Sequence, residues 1–490
     1  MPVTSLHPEY EAMERRWKRC RDAYSGTDAV KEAGTDYLPF LGNRSNPDDN
    51  ANYEGYKERA LWYNATARTV DALLGMVFRK PAEVTVPESI KPFLKDVTLT
   101  GVGLDEFAKL ILREVLIVGR CGAMVEMDKA NEDGTIPVNP RPWFVERDAE
   151  ALPNWMVDYV NGAEILVMAA IHENETEEDP NDPFVPKEVE QYRVLVLQGG
   201  VYRVDIWHKD EKQTDQDKQW FIYETYTPVM RGKPLDHIPF SFFGPIGCSP
   251  MVQKPVILDV ADVNYSHYRS SADLEHGRHF TGLPQPWAAG FPHEEGMEYR
   301  IGSTVAWVTS EPNAKASFAQ VTGGFDSLEK ALTEKRDMMA SLGARLIEQY
   351  MRNERETATA VQMRHGGEAG TIQQICISVN MGIEKLLRWM AEWVGVTDKA
   401  ELDSISYKLN TDLFENRMDP AEMTSLMALW QSGGISWETL YANLEAAEIS
   451  IPGRKAEEEK AEIDAEAMGA LATMKAAGLL PPPPTAKVSK

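Results

Sequence analysis

The pattern of apolar and polar positions is most regular from Phe325 to Val394 and predicts two amphipathic helices joined by a polar segment. Apolar residues recur every three or four positions in each helix, so they form one stripe along it. The first helix is predicted over 325–350 and the second over 368–395. The segment 351–367 between them is charged, rich in threonine and closed by two glycines, so it predicts a break. This pattern is typical of a mechanical element, not a catalytic one.

Upstream of this element the pattern predicts helices, then a small antiparallel sheet, then another long helix. One continuous helix is expected over 52–78, where apolar residues line nearly a whole face. β-branched and aromatic runs separated by turn signals predict strands at 192–197, 201–207 and 220–226. The helix predicted over 251–279 has few apolar and many polar positions, which is more easily explained by packing against copies of itself than by filling a core.

The remaining segments complete an α+β fold class that is mostly helical. Residues 280–324 are rich in glycine and proline and predict a compact insert of loops and strands between two long helices. Residues 419–480 predict a helical C-terminal part, and the proline run that opens 481–490 predicts the start of a disordered tail.

Composition and charge restrict the function. The 490 residues carry 51 basic and 76 acidic side chains, a net charge of −25. This is a poor balance for a protein that grips nucleic acid, although it does not exclude one that lets nucleic acid pass without sticking. The four cysteines have no CxxC spacing, no secretory signal opens the sequence, and no apolar run reaches about 18 residues, so a cytosolic protein is expected.

Motifs for catalysis are absent from the sequence. It contains no GxxxxGK[ST] loop, no GxSxG elbow and no HExxH helix. The best metal candidate is His276 with His279, three residues apart on one helical face and beside Glu275. Cationic residues near a helix C-terminus are the commoner explanation. We therefore predict no enzyme, no catalytic residue, no metal and no cofactor.

Three arginines of the polar segment, Arg352, Arg355 and Arg364, allow two interpretations. They are ordinary solvated loop charges, or they face a polyanion and meet its phosphate oxygens.

The order of the predicted elements resembles the portal proteins of tailed bacteriophages and related prophages. In that family a mixed wing is followed by a stem helix, a small clip, a returning stem helix, a tunnel loop, a long kinked helix and a helical crown. Local stretches also look like one portal subfamily: Ile238–Gly244, Ser270–His276, Pro284–Trp287, Glu356–Thr359, Asp419–Met427 and Gly434–Thr439. The likeness spans most of the chain, and its weight lies in the order of the elements.

The resemblance implies a division of the chain into named regions: a wing at 1–250, a stem helix at 251–279, a clip at 280–324, a returning stem helix at 325–350, a tunnel loop at 351–367, a long kinked helix and wing return at 368–418, a crown at 419–480, and the tail at 481–490. The C-terminal part is long enough for a crown but too short for the helical barrel that some portals extend into the capsid.

The resemblance also implies a head-to-tail connector: a ring of twelve copies at one capsid vertex of the virion, assembled in the host cytoplasm without a membrane. Double-stranded DNA passes through its channel during packaging and ejection. The major capsid and scaffolding proteins are further partners of the ring. The net charge over twelve copies, 12 × −25 or −300, fits a channel that repels DNA.

On this interpretation two sets of residues carry the function. Tunnel-loop residues that approach DNA are Arg352, Arg355, Thr357, Thr359, Arg364 and His365, and clip residues that dock the terminase large subunit and the head-completion (adaptor) protein are Pro286, Trp287 and Phe291.

Two other functions stay open from the residues alone. One is a cytosolic hydrolase that uses dispersed carboxylates, with a metal at His276 and His279. The other is a different oligomeric scaffold of the virion, such as a tail or baseplate part.

Overall fold

The chain has the α+β architecture that its sequence predicts, and it divides into two compact units, Met1–Thr411 and Asp412–Lys490. The computed structural model describes residues 2–40, 42–127, 141–177, 187–210, 213, 219–282, 285–291, 307–319, 324–344, 358–411, 418, 420–447, 449–451 and 454–476.

Helices dominate both ends of the first unit. They are α1 (Pro8–Ser25), α2 (Thr27–Glu32), α3 (Pro47–Arg59), α4 (Ala65–Val77), α5 (Leu104–Val118), α6 (Leu258–Gly282), α7 (Phe325–Met339), α8 (Ala358–Val394) and α9 (Lys399–Asp403). Among the described residues, no helix combines the length and the apolar character that a membrane span requires.

Strands occupy the middle of the unit and a few short positions elsewhere. They are β1 (Glu83–Thr85), β2 (Cys121–Glu126), β3 (Trp143–Asp148), β4 (Asn154–Val160), β5 (Ala163–Glu177), β6 (Lys187–Gln198), β7 (Val201–Lys209), β8 (Trp220–Tyr226), β9 (Val229–Met230), β10 (Lys233–Pro234), β11 (Phe240–Phe243), β12 (Gln285–Ala289), β13 (Lys315–Ala319) and β14 (Ser406–Lys408). The strands predicted at 192–197, 201–207 and 220–226 are confirmed as β6, β7 and β8.

The largest sheet is an antiparallel meander in the order β4-β5-β6-β7-β8. A three-stranded sheet, β11-β2-β3, lies beside it, and two-stranded pairs form between β1 and β14, β9 and β10, and β12 and β13. The β1–β14 pair joins residues more than 300 positions apart, so the end of the first unit folds back onto its beginning.

Ion pairs hold the five-stranded sheet against β2 and β3. Arg193 contacts Glu126 at 2.6 Å and Glu173 at 2.8 Å, and Arg147 contacts Glu173 at 2.5 Å. Burial by itself would raise the pKa of the Glu173 carboxyl, but Arg193 and Arg147 outweigh it and hold that pKa below its usual value. Glu173 is therefore ionised at neutral pH and links two sheets electrostatically.

The N-terminal helices correct the prediction of one helix over 52–78. That region contains α3 and α4, separated where Ala60 takes an extended conformation. Ala60 and Trp62 in this break are buried in the aromatic core, so tertiary packing overrides the helical period.

The central element also departs from its predicted boundaries. α7 ends at Met339 and is followed by a π-helical turn, in which Gly343 has a φ of 132° that a regular helix cannot contain. α8 begins at Ala358, ten residues before the predicted start at 368, and includes the two glycines that were expected to end the polar segment. Glycine in a helix interior costs only about 1 kcal/mol, which the neighbouring helix-forming residues offset.

The second unit is a small helical assembly of α10 (Pro420–Gln431), α11 (Trp437–Ala446) and α12 (Ala456–Ala476). Ser436 caps α11 by accepting from the backbone N–H of Thr439 at 3.2 Å. The Trp437 indole donates to the carbonyl oxygen of Ala456 at 2.9 Å, and the Tyr441 hydroxyl donates to that of Arg454 at 2.9 Å. Two side chains of α11 thus hold the start of α12.

Candidate functional site

Helices α6 and α7 form an antiparallel hairpin. Arg278 near the end of α6 contacts Glu329 near the start of α7 at 2.7 Å. Lys335, later in α7, donates to the Ser266 carbonyl oxygen at 3.0 Å and to the Ser270 hydroxyl at 2.5 Å. Residue numbers therefore rise along one helix as they fall along the other.

A glycine sets the distance between the two helices where α6 ends and α7 begins. A Cβ atom at Gly277 would lie 2.4 Å from Cε1 of Phe325, closer than real Cβ contacts. Only glycine lets the first residue of α7 pack directly on α6.

The base of the hairpin is embedded in an aromatic core made by the N-terminal helices. Tyr265 of α6 stacks on Tyr37 with ring centroids 4.2 Å apart and lies 5.2 Å from the Trp62 ring. Tyr268 and Ala272, further along α6, are also fully buried in this cluster. The hairpin is thereby fixed rigidly to the first unit.

Two polar residues of α6 have partners inside the protomer and many of its other residues are buried there, so the helix does contribute to a core, which its sequence had made the less favoured explanation. Asn264 donates to the Thr66 hydroxyl at 3.1 Å, and Asp273 accepts from the Tyr56 hydroxyl at 2.6 Å. Because their partners come from α3 and α4, distant in sequence, the period of α6 alone could not reveal them.

A two-stranded ribbon, β12–β13, connects the two helices. Pro286 pairs with Phe318, and Trp287 pairs with Ser317. Successive side chains of a strand point to opposite faces, so Trp287 and Phe318 lie on opposite faces of the ribbon. Trp287 is 44% exposed and Phe318 is 58% exposed. Each face therefore presents one large aromatic side chain to solvent.

The third predicted clip residue lies just beyond the ribbon. Phe291 makes an edge-to-face contact with Trp307, with ring centroids 6.2 Å apart. The structure thus brings Pro286, Trp287 and Phe291 into one short segment. Sequence analysis missed Phe318, because its place opposite Pro286 depends on a strand register that the intervening residues do not reveal.

The predicted tunnel-loop residues are only partly within the described structure. Arg352, Arg355 and Thr357 lie outside the described residues. Thr359, Arg364 and His365 lie in the first turns of α8. Their role toward DNA stays a prediction.

Helix α8 is anchored along most of its length. Its buried stripe is Ile372, Ile375, Cys376, Val379, Ile383, Leu386, Leu387 and Met390. Asn380 accepts from the Leu409 backbone N–H at 3.0 Å, and Glu384 accepts from that of Tyr407 at 3.0 Å. These two side chains tie α8 to the segment that contains β14, so its C-terminal two thirds is a fixed support.

The surroundings of the histidine pair at the end of α6 disfavour a metal site. Nδ1 of His276 lies 3.0 Å from a guanidinium nitrogen of Arg59, and burial together with Arg59 lowers the pKa of His276. His279 is exposed and packs edge-on against Phe280. A fixed cation beside one imidazole opposes binding of a second cation.

One group of acids among the described residues is close enough to hold a metal ion. Oxygens of Glu114, Glu146 and Asp148 lie within 4.8 Å of one another. Arg21 already contacts Glu114 at 2.8 Å and Asp148 at 3.8 Å. The group is thus an ion-pair cluster centred on an arginine, and it gives no support to a metal-dependent hydrolase.

Glu146 in this cluster gives a testable pH dependence. Burial, reinforced by Asp148 and Glu114, raises the pKa of Glu146 to about 7. The folded state therefore keeps a proton that the unfolded state releases, and stability falls as pH rises from about 4.5 through 7. Glu146→Gln should remove this loss and raise the unfolding free energy at pH 8 by up to about 3 kcal/mol relative to the parent, but not at pH 4.

Urea unfolding at the two pH values measures this effect. Glu83→Gln, at an exposed position of β1, is the matched control and should leave both values unchanged. An equal response to Glu146→Gln at both pH values would contradict the assignment.

Comparison with known proteins gives a family match for part of the chain. A family model described as a domain of unknown function, DUF4055, matches residues 256–394. This span begins two residues before α6 and ends on the last residue of α8, so it contains the hairpin, its ribbon and the long helix. No curated protein matches the chain.

Solved structures similar to the chain come from gene transfer agent (GTA) particles. A chain in the neck of an empty GTA particle computed with C6 symmetry is 10% identical, with a TM-score of 0.37 and coverage of 87% of this chain and 99% of that one. A chain in the virion of a native GTA particle is 10% identical, with a TM-score of 0.39 and coverage of 85% and 98%. A chain in the neck of a native GTA particle computed with C12 symmetry is 12% identical, with a TM-score of 0.33 and coverage of 78% and 89%. Similarity at this level does not by itself establish a common fold.

Proposed function

We propose that the chain is a portal protein, twelve copies of which form a ring at one capsid vertex and a channel for DNA packaging and ejection. The observation that carries the proposal is the order and geometry of the central module. An antiparallel hairpin, α6 and α7, bears an exposed ribbon, and a long helix, α8, follows it. This order supports an assignment of the elements as stem, clip, returning stem and kinked helix, the order that the sequence resemblance implies.

The rigid base of the hairpin supports the proposal that the hairpin bears a mechanical load. Its aromatic core joins α6 to α1, α2 and α3, and α8 is anchored separately through Asn380 and Glu384. An element that surrounds moving DNA must hold its position while the DNA passes.

The charge of the chain supports a passive conduit. A net charge of −25 per copy disfavours tight phosphate contacts, because each contact would need a cation to neutralise it. DNA would then move through the ring without being held by it.

The ribbon is the proposed docking surface for the terminase large subunit and the head-completion protein. A two-stranded sheet alone is only marginally stable in water. This one also exposes Trp287 on one face and Phe318 on the other. Covering both aromatic faces in an assembly would remove apolar surface from water and stabilise the ribbon. Pro286, Trp287 and Phe291 are the proposed contacts.

Loss of the chain is the test of this function. Particles assembled from major capsid and scaffolding proteins without this chain should contain no DNA, and supplying the chain during assembly should restore filling. DNA-filled heads formed in its absence would overturn the proposal.

The proposed tunnel loop gives a sharper prediction. Arg352→Ala combined with Arg355→Ala should reduce the fraction of DNA-filled particles while leaving ring assembly intact, because these arginines are proposed to meet DNA phosphates. Arg15→Ala with Arg16→Ala, two adjacent exposed arginines of α1, is the matched control and should package normally. Loss of rings in the first variant would make its arginines structural instead.

A further inference from the structure

The five-stranded sheet ends on two strands, β4 and β8, and neither has a partner strand on its outer side among the described residues. An open strand edge presents a row of free N–H and C=O groups that can pair with another chain. Proteins usually protect such an edge with lysine, proline or a covering element.

The β8 edge lacks this chemical protection. The strand contains no lysine, arginine or proline, and Glu224 is its only charged residue. Phe221, Ile222 and Tyr223 are 46%, 48% and 65% exposed. Since neighbouring residues point to opposite faces, both faces of β8 are open to solvent. A short strand of high β-propensity and low charge in this state is prone to pair with another strand.

The β4 edge, at the other end of the sheet, has the same character beyond its first two residues, where Asn154 donates to the Ser5 carbonyl oxygen at 2.9 Å and Trp155 stacks on His7. It also contains no lysine, arginine or proline, and Asp158 is its only charged residue. Met156, Tyr159 and Val160 are 56%, 68% and 47% exposed.

A neighbouring loop extends the apolar surface at β4. Glu164 accepts from the Tyr159 hydroxyl at 3.3 Å and from the Ser249 hydroxyl at 3.1 Å, which brings the loop before α6 beside β4. That loop carries Ile246 and Met251, 71% and 61% exposed. The β4 side of the sheet is therefore an apolar patch of two segments.

The direction of the strands makes the two edges compatible with each other. Each strand of the meander is antiparallel to the next, so β4 and β8 run in the same direction at opposite ends. They are about 19 Å apart across four strand spacings. A rotation can place the β8 edge of one copy against the β4 edge of the next. Each copy then keeps one free edge, β4 on the first and β8 on the second. A contact of this head-to-tail kind builds rings when the rotation closes.

We propose that β8 of one copy pairs with β4 of the adjacent copy, so that the five-stranded sheets of neighbouring protomers join edge to edge. The occupant is a second copy of this chain, because the two apolar edges match in length and direction. Each chain has a net charge of −25, so two copies repel each other. The two edges carry little charge, so the copies can approach closely there. The inference rests on the proposed ring only for the number of copies.

Crosslinking in the full-length chain tests the contact. Met156→Cys and Ile222→Cys occupy the third position of β4 and of β8, and both native side chains are about half exposed. The double variant, treated with a short bis-maleimide in its assembled fraction, should give covalent dimers, trimers and larger species. The parent chain controls for the native cysteines, of which Cys20, Cys121 and Cys376 are buried and Cys248 is half-buried.

The single variants distinguish a head-to-tail contact from others. Neither Met156→Cys nor Ile222→Cys alone should crosslink, because each edge meets only the other edge. Unchanged melting temperatures establish that the variants are folded. Absence of the ladder in assembled double variant would overturn the edge contact while leaving the ring intact. Crosslinking by a single variant would overturn the head-to-tail pairing. A parent chain that stays monomeric would overturn the contact and the ring together.

Discussion

Replacing Arg21 with methionine should destabilise the first unit by about 2–4 kcal/mol, because it leaves a group of carboxylates without their cation. The Arg21 guanidinium donates to Glu150 at 2.5 Å and to Glu114 at 2.8 Å, and it lies 3.8 Å from Asp148. The side chains of Arg21 and Glu114 are only 28% and 12% exposed, so water replaces the lost interaction poorly. Chemical denaturation measures the loss.

The effect should depend on pH in a defined direction. Burial already raises the pKa of Glu114, and Arg21 opposes that rise. Without Arg21 the carboxyl protonates more readily, so the variant should lose less stability at pH 5 than at pH 8.

Arg388→Met is the matched control. Arg388 also pairs with an acid, Asp403 at 2.7 Å, but these side chains are 46% and 52% exposed. An exposed pair contributes no more than about 1 kcal/mol. Equal losses in the two variants would show that Arg21 is an ordinary surface charge.

Replacing Gly382 with alanine should destabilise the protein by about 1–3 kcal/mol through overpacking, although alanine is the better helix former. A Cβ at this position of α8 would lie 2.1 Å from Cε1 of Phe243, whose side chain is 1% exposed. Phe243 belongs to β11, in the sheet that supports α8, so it has little room to move.

Gly75→Ala tests the same substitution without the clash. Gly75 lies in α4, and a Cβ there would meet nothing within 4 Å. This variant should gain about 0.5–1 kcal/mol, as expected for alanine in an exposed helix interior. Thermal or urea unfolding of both variants should therefore give changes of opposite sign. A gain in both would mean that α8 does not pack tightly on β11.

The sequence predicted secondary structure and burial correctly where the period of apolar residues within one element is sufficient. The stripe of α8 from Ile372 to Met390 is buried as its spacing predicts, and the alternating runs in the middle of the chain are β6, β7 and β8. In these elements a core face is formed by residues close in sequence, so their pattern alone is sufficient.

Features that depend on distant partners were not predictable. Asn264 and Asp273 made α6 look poorly suited to a core, yet Asn264 donates to Thr66 and Asp273 accepts from Tyr56. The Phe325 ring packed against Gly277 explains the glycine at that position, and the sequence does not show this contact. A single sequence does not show which distant residue will meet a polar group.

The sequence predicted which segment forms the candidate site, but it did not predict which residues of that segment lie opposite each other. Pro286 and Trp287 lie on the ribbon expected to dock partners, while Phe318 became visible only through the register of β12 and β13. The start of α8 at Ala358 shows that two glycines do not by themselves end a helix.

The most direct test of the portal assignment is the mass and shape of the purified chain in solution. Twelve copies of 55.0 kDa give 12 × 55.0 = 660 kDa. Mass measurement with negative-stain imaging should show particles of that order, with rotational symmetry and a central opening wide enough for a DNA duplex. A compact monomer of 55.0 kDa without an opening would contradict the assignment.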